Sequence, residues 1–112
     1  MYCFTPYATP ESLKREVDKF EVESIREKAE WKITKNNHVI TYTLVKNGDK
    51  YVIIFDYESA ENICIFYMLN NGDICIEYAE WDGEELTTSD KLKYFHSTTM
   101  LMCGLIQSGK IA

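Results

Sequence analysis

The sequence predicts an α+β fold: a five-stranded antiparallel meander flanked by an N-terminal and a C-terminal helix (α-β5-α), with a single layer of helices on one sheet face. Three observations carry this. Asn47-Gly48 and Asn71-Gly72 are hairpin signals, because Asn and Gly tolerate the positive φ of tight turns. On either side of them apolar and polar residues alternate with the period of two that a half-buried strand requires. Both ends of the chain carry a helix-start signal followed by apolar residues at helical spacing.

In chain order, residues 1–8 read as an extended lead-in, with Tyr2, Phe4 and Tyr7 available to pack. Thr9-Pro10-Glu11 starts a helix: Thr9 caps, Pro10 suits the first helical position, and Glu11 favours the positive end of the dipole. Leu13, Val17 and Phe20 follow at helical spacing and Ile25 and Ala29 keep an approximate register, so the helix is expected over 10–29, although Val22 falls off it. Trp31 and Ile33 alternate with lysines, and Asn36-Asn37 is a two-residue turn. Strands then follow at Val39 to Val45, Tyr51 to Tyr57, Ile63 to Leu69 and Ile74 to Trp81, with Glu58 to Asn62 as a short polar loop. The segment from Ile63 to Leu69 is apolar on both faces. Ile74, Ile76 and Tyr78 are expected on one face of the last strand, and Cys75, Glu77, Ala79 and Trp81 on the other. Thr88 or Ser89 caps a final helix whose inward face carries Leu92, Phe95, Thr99, Met102, Cys103 and Ile106, with Gly109 as its stop.

A chain of 112 residues that is 46% apolar and 13% aromatic makes one domain, 1–112, with a core of its own. It has no positively charged start leading into an apolar run, and no apolar stretch long enough to cross a membrane, which leads to the expectation of a cytoplasmic protein. Cys3, Cys64, Cys75 and Cys103 show no Cys-x-x-Cys spacing. They are expected to be reduced and structural, with Cys64 and Cys75 acting as small hydrophobes within strands.

The net charge of −6 lies in the second half of the chain, because residues 1–56 balance. Asp73, Glu77, Glu80, Asp82, Glu84, Glu85 and Asp90 follow one another with no intervening base. A one-signed stretch attracts cationic surfaces and repels phosphate, so direct binding of DNA or RNA is not expected. The candidate partner-binding residues are Asp73, Glu77, Tyr78, Glu80, Trp81, Asp82, Glu84 and Glu85, a mixed aromatic and acidic strip. Aromatics supply contact area there and acids pair with Lys or Arg. The bland alternative is an acidic surface that only aids solubility.

Other chemistry has less behind it. No hydrolase signature surrounds any Ser or Cys, and Asp82-Gly83-Glu84-Glu85 departs from the calcium-loop pattern. The five glycines are isolated, so none forms a phosphate cradle. His38 reads as a solvent-facing turn residue, and His96 as helix-boundary polarity or a partner contact. No catalytic residue, cofactor or metal is expected. In overall profile (short, acidic, motif-poor) the chain resembles small inhibitors encoded by phages and mobile elements, including anti-CRISPR proteins. That resemblance implies stoichiometric binding to a basic, nucleic-acid-handling protein. A small-ligand binder with a pocket between sheet and helices, lined by Tyr, Trp and Met, is the alternative. A small enzyme using His96 or Glu77 is a third reading, and self-association is compatible with all of them.

Overall fold

The structure is a computed structural model. It describes residues 1–6, 10–26, 30–35 and 37–111. The elements are β1 (Tyr2–Phe4), α1 (Pro10–Val17), β2 (Glu21–Arg26), β3 (Glu30–Lys35), β4 (His38–Asn47), β5 (Lys50–Tyr57), β6 (Ala60–Met68), β7 (Ile74–Trp81), β8 (Glu84–Glu85), α2 (Ser89–Leu92) and α3 (His96–Gln107). A 3-10 turn, Lys93–Phe95, joins α2 to α3. The strands form one sheet in the order β1-β7-β6-β5-β4-β3-β2, with β8 paired to β7 and every pairing antiparallel.

The α+β class and the central meander match the expectation, but five strands between two long helices do not. Among the described residues the sheet has eight strands, and α1 is a helix of 8 residues. The chain leaves the helix at Asp18-Lys19, where Phe20 N–H donates to the Val17 carbonyl at 3.1 Å. It then re-enters the sheet as β2. Val22, the residue out of helical register, is the one that packs inward from β2, while Glu21 and Glu23 point to solvent. The expected cap Thr9 and the helical Ala29 lie outside the described residues. The other unforeseen strand, β1, pairs Tyr2, Cys3 and Phe4 with Ile76, Cys75 and Ile74.

The turns also differ in detail. The hairpin between β4 and β5 turns on Gly48 and Asp49, since Asn47 already pairs with Lys50. Only Gly48 has positive φ there (67°), which suits glycine at the first central position of a type II′ turn. The expected polar loop before β6 is a two-residue turn made by Glu58 (φ 51°) and Ser59 (φ 65°), both in the left-handed region.

At the C-terminal end, Thr88 Oγ accepts from Lys91 N–H at 3.4 Å and caps α2. Gly109 (φ 78°) ends α3 as expected, with Lys110 N–H bonded to the Leu105 carbonyl at 3.0 Å. The core lies on one face of the sheet. Leu44, Ile53, Cys64 and Ala79 form one rung across it, and they pack in one cluster with Val17, Phe95, Met100, Met102, Cys103 and Leu105. Burying such side chains contributes roughly 1.5–3 kcal/mol each relative to exposure. Among the described residues, no helix is long and apolar enough to cross a membrane.

Candidate protein-binding surface

The expected acidic strip does not form one surface: alternation along β7 divides Tyr78 and Glu80 from Trp81, and a bulge moves Glu77 to the side of Tyr78. Phe66 pairs with Ile76 and Ile65 with Tyr78, which leaves Glu77 as the extra residue. Beyond the bulge the alternation changes phase. Ala79 (0% exposed) joins Ile74 and Ile76 in the core and Trp81 packs against it, whereas Tyr78 and Glu80 share the opposite face with Glu77. The expected grouping of Tyr78 with Ile74 and Ile76 is thereby corrected.

Three separate places now hold the strip. Asp73 sits in the turn before β7, where its carboxylate accepts from Thr5 Oγ1 at 2.9 Å and its N–H donates to Asn71 Oδ1. Glu77, Tyr78 and Glu80 lie on the open face of the sheet. There Lys50 Nζ donates to Glu77 at 2.6 Å and the Tyr78 hydroxyl donates to Glu80 at 2.6 Å. The hydrogen bond to Glu80 is the first cause that holds the Tyr78 phenol above its ordinary pKa. Trp81, Asp82, Glu84 and Glu85 sit at the far end of the sheet. Trp81 meets Tyr57 edge-on at 6.4 Å and Tyr94 at 6.0 Å, and Glu84 pairs with Lys91 at 3.1 Å.

The open face is the feature that strand-by-strand reading missed. Two rungs cross it, Val45–Val52–Ile65–Tyr78 and Thr43–Ile54–Ile63–Glu80. Antiparallel sheets with one solvated face usually present polar residues there. Here the centre is β-branched and apolar, and Val45 is 44% exposed and Val39 49%. Among the described side chains, Glu30, Asp56, Glu61 and Glu80 stand around that centre, against Lys32 and the already paired Lys50. Glu30, Thr41, Thr43, Ile54, Asp56 and Glu61 border a shallow concavity of about 360 Å³ on this face. Its signal in the sequence was the doubly apolar segment Ile63 to Leu69.

On the covered side, a recess of about 610 Å³ opens between β3, β4 and α3, lined by Phe20, Ile33, Asn37, His38, Ile40, Tyr42 and Leu101. Burial pushes the Tyr42 phenol up to about 12. His38 is exposed at the start of β4, as expected for a turn residue.

His96 opens α3 and stacks on Phe4 at 3.8 Å, with Nε2 2.9 Å from the Tyr2 hydroxyl. Burial, and then the charge of Lys93, hold its pKa below the ordinary value. It therefore ties the N-terminal strand to the helix layer.

The cysteines fall into two classes. Cys3 and Cys75 are joined in a disulfide across the β1–β7 pair, which corrects the expectation of four reduced thiols. Cys64 and Cys103 are buried free thiols, as expected, and burial raises both, Cys103 to about 12. Among the described residues no three His, Cys, Asp or Glu side chains gather in a way that could hold a metal ion. Comparison with protein-family models, with curated proteins and with solved structures found no match to this chain.

Proposed function

We propose that the protein is a non-catalytic interaction module that binds a basic protein partner through the open face of its sheet. The observation that carries this is the apolar centre of a face that no helix among the described residues covers, framed by carboxylates. Apolar area supplies the binding free energy when it is buried, and the charged rim selects a cationic partner and speeds encounter. Association with a second copy would bring acidic rims together, so a partner of opposite charge fits better. A nucleic-acid-handling protein has such a surface, and an inhibitor of the kind phages encode would act by covering it.

The test uses two baits, the wild-type protein and Ile65→Lys, in capture from native host lysate followed by mass spectrometry. Ile65 lies on the open face, so its change should leave the melting temperature within a few degrees. Partners held by the wild type in low salt should be lost by the variant and weakened by raised salt. Recovery of the same proteins by both baits would refute the reading.

A second reading rests on the recess beneath Tyr42, which is large enough for a small apolar ligand. A ligand seated there would shift the ring signals of Tyr42 and Phe20 without touching the open face.

A further inference from the structure

At the end of the sheet opposite the Cys3–Cys75 disulfide lies a recess of about 350 Å³ lined by Trp81, Glu84, Leu86, Lys91 and Tyr94. It opens on the helix side, away from the face assigned to a protein partner. Trp81 and Tyr94 form two walls inclined at 53°, and Tyr57 stands edge-on behind Trp81. Leu86, 8% exposed, supplies apolar surface, and Tyr94 is 69% exposed although it is a large aromatic. Aromatic faces converging beside a carboxylate attract cations through the ring quadrupole.

We propose that this recess binds an alkylated ammonium group, as found in choline-type molecules and methylated lysine. The acceptor count selects this class. A lysine ammonium brings three N–H donors and an arginine five, and all need partners once water is displaced. Among the described residues the wall has one carboxylate, Glu84, whose Oε1 already accepts from Lys91 at 3.1 Å, which leaves fewer acceptors than a full set of ammonium or guanidinium N–H groups needs. A quaternary ammonium has no N–H to satisfy, and its methyl groups match the aromatic walls. Asp82 and Glu85 flank the site in sequence and add negative charge, while Lys93 is paired with Asp90 at 3.5 Å. Lys91 is the resident opponent of an incoming cation.

The test is a titration with tetramethylammonium chloride followed by the indole N–H signals of Trp81 and Trp31 in nitrogen–proton spectra. The Trp81 signal should move saturably and the Trp31 signal should not. Equal sodium chloride should have no such effect, and tert-butanol, a neutral molecule of similar shape, should bind at least roughly fivefold more weakly. Tyr94→Leu keeps the apolar surface of an exposed position and should weaken tetramethylammonium binding by about tenfold. Lys91→Gln should tighten it. Choline and a peptide carrying trimethyl-lysine then identify the source, because contacts beyond the shared head tighten only one of them. The proposal is overturned if sodium chloride reproduces the Trp81 shift, if tert-butanol binds equally well, or if Tyr94→Leu binds like the wild type.

Discussion

Reducing the Cys3–Cys75 disulfide should lower the melting temperature by about 15–20 °C. The bridge joins residues separated by 72 positions, so in the unfolded chain it closes most of the sequence into a loop. In the chain-entropy account a loop of that size contributes roughly 4 kcal/mol. In a domain of this length about 1 kcal/mol moves the midpoint by about 4 °C. The bridge also anchors a strand of 3 residues, whose Tyr2 and Phe4 pack on His96. Part of the loss should therefore appear as faster hydrogen exchange along the β1 edge of β7, below the global transition. The assay is circular-dichroism melting of the wild type with and without a phosphine reductant, beside Cys3→Ser. That variant removes the bridge and leaves Cys75, 1% exposed, as a buried thiol. Complete reduction, verified by mass, that shifts the midpoint by less than about 2 °C would refute the entropic argument. Four reactive thiols in denaturant without reductant would refute the bridge itself, since Cys64 and Cys103 should account for all the thiol present.

Further expectations follow from the same geometry. In native protein Cys64 and Cys103 should react slowly with thiol reagents at neutral pH, because burial holds both thiols protonated, Cys103 with a pKa of about 12; rapid stoichiometric labelling would contradict their placement. His96 has a lowered folded pKa, so the unfolded chain binds its proton more readily, and the stability from the neutral ring is present above the unfolded value near ~6.5 and lost as pH falls through the folded one. Melting temperature should fall from pH 7 to pH 5, and His96→Gln should flatten that slope. Tyr42 has a raised pKa of about 12, so an ultraviolet titration should show a late phenol that disappears in Tyr42→Phe. Replacing Glu58-Ser59, at φ 51° and 65°, by Asn-Gly should stabilise the β5–β6 hairpin by about 0.5–1 kcal/mol in denaturant melts, and no gain would mean that the native turn carries no backbone strain.

The strands from β4 to β7 were legible in the sequence because a hairpin is a local object. Alternation sets which residues face inward, and the turn residues set where the chain reverses, within a span of a few residues. The C-terminal helical stretch and its Thr88 cap were legible for the same reason, but the single expected helix is broken into α2, a 3-10 turn and α3, which starts without a side-chain cap. The segment 21–26 was not, because Val22 and Ile25 suit a strand or a helix turn about equally, and only the free edge of β3 decides for the strand. β1 is decided still further away, by the unpaired edge of β7 and the cysteine opposite Cys3. The aromatic and acidic residues of the candidate site were visible by type, but which of them face the core was not, because the bulge at Glu77 shifts the phase of β7 and a bulge depends on the partner strand. The sequence by itself determined that β6 is apolar on both sides. Only the tertiary structure decided that α1 and α3 cover one of those sides and leave the half-buried Ile63 and Ile65 on the other, because helices pack where their own apolar stripes find a complement, and that choice is made across the whole chain.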